Sequence, residues 1–230
     1  MRGRLLTLDA LSSATVGLFL FFAPHIVADF LFKQRSDGVH WHLVRCVGGQ
    51  LLAGAFVSYR FRNSNPTAHT VCHLLRIIPC LICLMLVFQC RSMTPHLIEP
   101  TYLEYAKNSL MFGLVFNAVL LASSGWHIGT TLVPGNRIGN CLYQLDALAS
   151  ICIGIAWLTF PKWLLHKQVV VPLDESHELC GRVMGALFVT SYAVSAHALH
   201  WTDNSQKMMA VDSRVVVSEI SSSRTLSVLS

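Results

Sequence analysis

Two aspartates lie near the start of long apolar stretches, where carboxylates are rare. Asp9 begins one such stretch and Asp146 begins another. A carboxylate inside a membrane helix is costly unless it is paired, hydrated or protonated, so both residues are candidates for binding a proton or an ion. The alternative is a position at the interface, in the first helical turn, where a negative charge stabilises the positive end of the helix dipole.

Two further groups of ionisable residues share one spacing. Asp37, His40 and Arg45 form the first group, and the second consists of Asp174, His177 and Arg182. As functional groups they predict two equivalent polar clusters at one membrane face, able to bind an anion or relay a proton. As structural groups they are a helix cap, an interfacial histidine and an arginine that extends toward water.

These repeated residues belong to an internal similarity. When the chain is shifted by 137 positions, residues 5–60 align with residues 142–197 without a gap, and 14 of the 56 pairs are identical. Chance would give about four identities in a chain of this composition. The matches include Asp, His, Arg and Pro, which shared hydropathy does not explain. The alignment predicts a duplicated two-helix unit. If both segments between the copies span the bilayer, the copies are related by a rotation of about 180° around the membrane normal, which we expect; if only one of them spans, the repeat is inverted.

Small residues mark the faces where these helices approach neighbours. Gly48 and Gly49 lie in one copy and Gly185 lies in the other. Glycine lets two membrane helices pack closely, so we predict packing faces here. We expect Gly48 and Gly185 at the interface between the two copies.

The composition requires a membrane environment for these elements. The chain has 230 residues, of which 53% are hydrophobic and only 13% are charged, whereas about 25% are charged in a soluble domain. Apolar stretches near the roughly 20 residues that span a bilayer recur along the chain. There are six of them, at residues 5–24, 43–59, 74–90, 108–126, 142–165 and 179–199.

The predicted fold is therefore an all-α polytopic membrane helical bundle. It has about six transmembrane helices, with repeat copies at 5–60 and 142–197 and connecting helices at 74–90 and 108–126. This domain covers residues 1–201. Residues 202–230 are Ser-rich with mixed charge, which predicts a flexible tail.

Charge and localisation follow from the same pattern. The net charge is +5, but the basic residues are scattered and predict no nucleic-acid partner. The expected partners are the lipid bilayer and other membrane proteins or a second copy of the chain. We expect an integral multipass membrane protein with both termini cytosolic, although the distribution of Lys and Arg hardly separates the two orientations.

The sequence predicts no enzyme, no cofactor and no metal site. Walker, G-x-S-x-G, G-x-G-x-x-G and HExxH motifs are absent. His69/His73 and His197/His200 have metal-ligand spacing on a helix, but the sequence offers no obvious third ligand for either pair. Cys80 and Cys83 form a C-x-x-C only within an apolar helix, where thiols are inert.

Three classes of function remain, of which a membrane-embedded enzyme has the least support because no nucleophile, metal set or acid/base pair can be assembled from the sequence. The other two are as follows. The first is a non-enzymatic membrane component that acts through helix–helix contacts. The alternative is a small transporter or channel for an anion or a proton-coupled solute, built on the duplicated hairpin. The depth of Asp9 and Asp146 separates them, because a hydrated carboxylate within the bilayer favours transport and an interfacial one favours packing.

Overall fold

The computed structural model is all-helical, as the sequence predicts, and describes residues 2–129 and 137–222. Nine helices lie within these residues: α1 (Arg2–Phe22), α2 (Pro24–Leu31), α3 (Gly38–Phe61), α4 (Pro66–Met93), α5 (Pro100–Ser124), α6 (Arg137–Thr159), α7 (Pro161–His166), α8 (Glu175–Ala198) and α9 (Asn204–Ser222). Five of them are long and apolar enough to cross a membrane, namely α1, α4, α5, α6 and α8. Both connecting segments, 74–90 and 108–126, fall in helices of this group.

Proline and aspartate set where most helices begin. Pro24, Pro66, Pro100 and Pro161 each stand in the first turn of a helix. Proline fits there because its missing N–H and fixed φ cost nothing at that position. Asp37 and Asp174 cap α3 and α8 instead. Pro79 lies inside α4, and the helix continues through it to Met93.

The helices form two halves with equivalent packing. The first half is α1–α4, the second is α6–α9, and α5 connects them. In each half the long first helix packs on the capped helix, α1 on α3 and α6 on α8. The last helix of each half packs on the capped helix of the other, α4 on α8 and α9 on α3. Since α3 and α8 also pack on each other, they form the centre of the bundle.

The two central helices run in the same direction. The His40 and His177 rings, both in the first turn of their helices, have centroids 3.8 Å apart. At the other end of the bundle, Phe61 at the end of α3 contacts Trp201 just after α8, with centroids 5.0 Å apart. We call the end with Asp37 and Asp174 the capped end, and the other the terminal end, because α1 and α9 begin there.

Two apolar clusters fill these ends. The cluster at the terminal end joins residues of α1, α3, α4, α8 and α9, including the fully buried Phe61 and Val71. The cluster at the capped end includes Phe32, Leu43, Leu165 and Met184. Burial of such side chains stabilises a membrane bundle mainly through close packing, because lipid is itself apolar.

The predicted flexible tail at 202–230 is wrong over most of its length. Residues 204–222 form α9, whose Met209 and Ala210 are buried against the terminal-end cluster. Trp201, just before α9, is 2% exposed. One face of α9 packs on α3. This tertiary contact stabilises the helix although the segment is polar, which is the property that predicted a flexible tail. Residues 223–230 lie outside the described part of the chain.

Candidate functional site

The capped end of the bundle is built from two identical helix caps. Asp37 Oδ1 accepts hydrogen bonds from the backbone N–H groups of Val39 and His40, both at 3.0 Å. Asp174 Oδ1 accepts from Ser176 and His177 in the same way, at 3.0 and 3.2 Å. Each cap satisfies backbone donors that have no partner within the helix. This explains why Asp and His recur at a spacing of three residues.

The parallel arrangement of α3 and α8 brings both caps together. His177 Nε2 lies 3.1 Å from both carboxylate oxygens of Asp37, on the other helix. His40 Nε2 lies 2.5 Å from Ser176 Oγ, again across the helix pair. Both histidines are buried, at 3% exposure. The two clusters expected from the sequence are thus one capping cluster, which consists of Asp37, His40, Asp174, Ser176 and His177.

Arg45 and Arg182, the arginines of the two predicted groups, have different surroundings. Arg182 Nη2 lies 3.4 Å from Glu178 Oε2, one turn earlier on its own helix. Arg45 is partly buried in α3, seven residues after the start of that helix. The hydrogen bonds of the capping cluster join two carboxylates and two imidazoles.

Hydrogen bonds keep the cap carboxylates ionised. Burial alone would raise the pKa of Asp37, but hydrogen bonds from the His40 backbone, the His40 ring and the His177 ring outweigh it and lower the pKa to about 2. The pKa of Asp174 is also lowered, because hydrogen bonds from Ser176 and His177 outweigh the opposing effect of burial. Both residues are anions at neutral pH.

Asp9 forms a half-buried ion pair with Arg76, a residue that no local sequence pattern marks. Arg76 of α4 donates from Nε to both carboxylate oxygens of Asp9, at 3.1 and 2.9 Å. The side chains are 11% exposed for Arg76 and 20% for Asp9. Arg76 stands ten residues after Pro66, or about 15 Å along α4, so the pair lies inside the bundle and not at its surface.

Asp146 forms the equivalent pair with Arg214 of α9. Arg214 Nε and Nη2 lie 2.9 and 2.7 Å from Asp146 Oδ2. Ser150 and Ser191 also bond to the guanidinium, and Ser195 donates to Asp146. Arg214 lies 138 positions after Arg76, one more than the shift that relates the aspartates. That single-residue difference is why an ungapped shift does not pair the arginines.

A small cavity lies between the two ion pairs. Its volume is about 40 Å³, enough for roughly three water molecules. Arg76 and Arg214 line it from opposite halves, together with polar side chains of α3, α8 and α9. Nη2 of Arg76 is buried and has no hydrogen-bond acceptor within the described part of the chain. We call this the central cavity; its other polar lining residues are Gln50, Thr190, Ser191 and Ser213.

The glycines pack within each half and not between the halves. A Cβ on Gly48 would lie 2.8 Å from the carbonyl oxygen of Gly17 in α1. A Cβ on Gly185 would lie 2.8 Å from the carbonyl oxygen of Gly154 in α6. The expectation that Gly48 and Gly185 line the interface between the copies is wrong, because each lets its capped helix approach the long helix of its own half. Gly49 is buried in α3.

Comparison with known proteins identifies the family of the chain. Residues 7–222 match the family described as Domain of unknown function (DUF8292), so the chain belongs to that family. No curated protein and no solved structure matches it. The match covers both halves of the bundle, including α9.

Proposed function

We propose that this chain is a non-enzymatic multipass membrane protein that crosses the bilayer six times, through α1, α3, α4, α5, α6 and α8. Five of these helices have the length and apolar composition of spans. The sixth, α3, has 24 residues, like α8 beside which it lies. As a central helix α3 contacts lipid less, so it can carry the polar residues that lower its hydropathy.

The proposed bundle arises from duplication of a unit longer than the aligned hairpin. Three features support this. The caps at Asp37 and Asp174 are identical, the glycine contacts repeat, and each half contains an aspartate–arginine pair. In this proposal the unit comprises four helices, α1–α4 and α6–α9, and the copies are related by rotation around the membrane normal because α3 and α8 are parallel. α9 takes the place of α4 on the neighbouring central helix, but it lacks the apolar composition of a span and is not counted among the six.

We orient the bundle with its terminal end in the cytosol. N-glycosylation acceptor sites engineered into the α4–α5 connection, residues 94–99, should then be modified in cells. Acceptor sites before residue 5 should remain unmodified. Modification of the N-terminal site alone would reverse the proposed orientation.

In this proposal the protein acts through helix–helix contacts. The supporting observation is a face of α9 that no other described residue covers. In the first half α5 covers α4, where His73 bonds to Asn117 of α5 at 3.1 Å. Val211 is the α9 residue 138 positions after His73, and it is 43% exposed. Met208 and Val215 lie on the same face and are exposed as well. We call Met208, Val211 and Val215 the α9 outer face.

A second copy of the chain is the proposed occupant of the α9 outer face. The face can pair with itself around a two-fold axis, the commonest symmetry of soluble homo-oligomers, and close packing would stabilise such a contact in lipid. In detergent, light scattering should give wild-type protein twice the monomer mass. Val211→Asp should give the monomer mass, because the two copies would then place like charges against each other across the contact.

A matched control uses another exposed apolar position. Val115→Asp on α5 changes a residue that is 55% exposed but lies away from α9, so the dimer should persist. A monomeric wild-type protein, or a dimeric Val211→Asp protein, would contradict the proposal.

The second candidate function is transport of a small anion coupled to protons, and the central cavity favours it. Two guanidinium groups face the cavity from opposite halves, and each is held by an aspartate. Protonation of either aspartate would free positive charge for an anion. Asp9 and Asp146 stand seven and nine residues after the first residues of α1 and α6, which supports this candidate.

Proteoliposomes test this candidate directly. With an inward chloride gradient, wild-type protein should carry chloride and protons inward, which a pH-sensitive dye inside the vesicles detects. Arg76→Gln and Arg214→Gln should reduce the rate by roughly tenfold or more, as expected when a buried charge–anion contact is lost. Arg182→Gln, outside the cavity, is the control. Chloride flux that depends on Arg182 and not on Arg76 would contradict the role of the cavity.

A further inference from the structure

The capping cluster holds three potential metal ligands in close proximity. Nitrogen atoms of His40 and His177 and a carboxylate oxygen of Asp37 all lie within 4.8 Å of one another. The ligands come from both central helices, His40 from α3 and His177 from α8, with Asp37 as the cap of α3. Imidazole nitrogen and carboxylate oxygen are the donor types that Zn²⁺ binds in proteins.

The outer contacts of the two histidines match those of metal-bound imidazoles. His40 Nδ1 lies 2.9 Å from Asp37 Oδ1, and His177 Nδ1 lies 2.7 Å from Asp174 Oδ1. A histidine that binds a metal through Nε2 usually donates its Nδ1–H to a carboxylate, which fixes the tautomer and the ring orientation. His177 has such a carboxylate in Asp174. For His40 the carboxylate is Asp37, itself a proposed ligand, so Asp37 would accept from His40 through one oxygen and bind the ion through the other. The Nε2 atoms face the other helix, that of His177 toward Asp37 and that of His40 toward Ser176.

This tautomer leaves two acceptors facing each other. With the proton on Nδ1, the Nε2 lone pair of His177 points at the Asp37 oxygens, each 3.1 Å away. Two acceptors at this distance repel unless a cation lies between them. Around a tetrahedral zinc ion with bonds of about 2.0–2.1 Å, adjacent ligand atoms are separated by about 3.3 Å. The observed separation is close to that value.

Charge and access also fit a divalent cation. The two cap carboxylates together carry the charge that balances a doubly positive ion. An open cavity of about 270 Å³ lies beside Asp174 and is lined by Glu175, Glu178 and His96 among others. Asp37 is itself 37% exposed. An ion can therefore reach the cluster from the capped end of the bundle, through an entrance that carries three carboxylates and Lys162.

We propose that His40, His177 and Asp37 form a zinc-binding site that joins the N-termini of α3 and α8. Asp174 orients the His177 ring, and Ser176 Oγ, 2.5 Å from His40 Nε2, stands beside the ligands. Because the ligands come from both halves, the ion would hold the halves together at the capped end. This site is independent of the dimer contact and of the central cavity.

Metal titration of the full-length protein tests the proposal. Chelator-treated protein in detergent should bind one Zn²⁺ per chain, measured by elemental analysis after desalting, and its unfolding temperature should rise with added Zn²⁺. His177→Gln and His40→Gln should each weaken zinc binding by roughly 100-fold or more. Asp174→Asn, which removes only the orienting carboxylate, should weaken it by about 10- to 100-fold.

His73→Gln is the matched control, since His73 is also a buried histidine but bonds to Asn117 elsewhere in the bundle; its zinc affinity should equal that of wild type. Substitution of Co²⁺ into wild-type protein gives a readout that needs no variant, because tetrahedral Co²⁺ absorbs strongly in the visible range. Only the weak spectrum of hydrated Co²⁺, or zinc binding unchanged in His177→Gln, would overturn the site. Stabilisation by acidification with no response to Zn²⁺ would also overturn it, because a proton then occupies the position between His177 and Asp37.

Discussion

The two aspartate–arginine pairs have the same chemistry and different surroundings. Asp9 and Arg76 bond to each other and are 20% and 11% exposed. Asp146 and Arg214 are 36% and 25% exposed, and three serines share their hydrogen bonds. A buried pair with few other partners leaves an uncompensated charge when one member is removed, whereas a pair within a polar network does not. Loss of the aspartate–arginine pair should therefore lower the stability of the protein more in the first half than in the second.

The largest expected effect is the loss of Asp9. Asp9→Ala leaves the Arg76 guanidinium buried without its counter-charge, which should reduce the free energy of unfolding by about 3–5 kcal/mol. Unfolding in mixed detergent micelles, followed by circular dichroism, measures the change. The double variant Asp9→Ala/Arg76→Leu should recover much of the loss. Equal stability of the single and double variants would show that the charge is not responsible.

Substitution of the glycines at helix contacts should give the next largest loss of stability. The loss should be greater in the second half than in the first. A Cβ on Gly154 would overlap the backbone nitrogen of Val189 in α8, while a Cβ on Gly17 would lie 3.0 Å from its nearest neighbours. Gly154→Ala should therefore cost about 2–3 kcal/mol, near the upper end for overpacking, and Gly17→Ala about 1 kcal/mol.

Gly113→Ala serves as the control for these glycines. Its Cβ would lie 3.4 Å from Cys80 Sγ, an ordinary contact, so thermal unfolding in detergent should be nearly unchanged. A more damaging effect at Gly17 than at Gly154 would show that the two long helices are not packed as described.

Removal of Asp146 should have a smaller effect than removal of Asp9. In Asp146→Ala, Arg214 keeps its contacts with Ser150 and Ser191 and is partly exposed, so we expect a loss of about 1–2 kcal/mol. The same mixed-micelle unfolding gives the comparison. Combining Asp146→Ala with Ser150→Ala and Ser191→Ala should bring the loss close to that of Asp9→Ala. If Asp146→Ala already equals Asp9→Ala, the serines do not compensate.

The smallest effect concerns a turn that only the first half contains. The Ser36 hydroxyl and backbone N–H bond to Asp29 and lower its pKa below the usual 3.8, whereas His166 occupies the aligned position of the second half. Because the pKa is lowered in the folded protein, the stabilisation is present above about pH 4 and is lost as the pH falls through the lowered value. Asp29→Asn should remove only this slight acid dependence from the unfolding curve. A variant with the unaltered pH profile would show that the turn contributes nothing.

The fold class, most helix positions and the recurring polar residues could be predicted from the sequence. Low charge and apolar segments of about the length that spans a bilayer predict a helical membrane protein, since a helix satisfies its own backbone hydrogen bonds within lipid. Asp37 and Asp174 were recognisable because capping is local, depending on residues within three positions. Asp9 and Asp146 were recognisable because they align when the chain is shifted by 137 positions.

Which of these residues contact each other is seen only in the tertiary structure. Arg76 and Arg214 reach the aspartates across 67 and 68 residues, and no local pattern marks them. The capping cluster forms because α3 and α8 lie parallel, and Gly48 faces Gly17 because of how one hairpin closes. α9 is ordered by its contact with α3 even though its own composition is polar. Such contacts depend on how helices pack in three dimensions, which a linear pattern of hydropathy and charge does not specify.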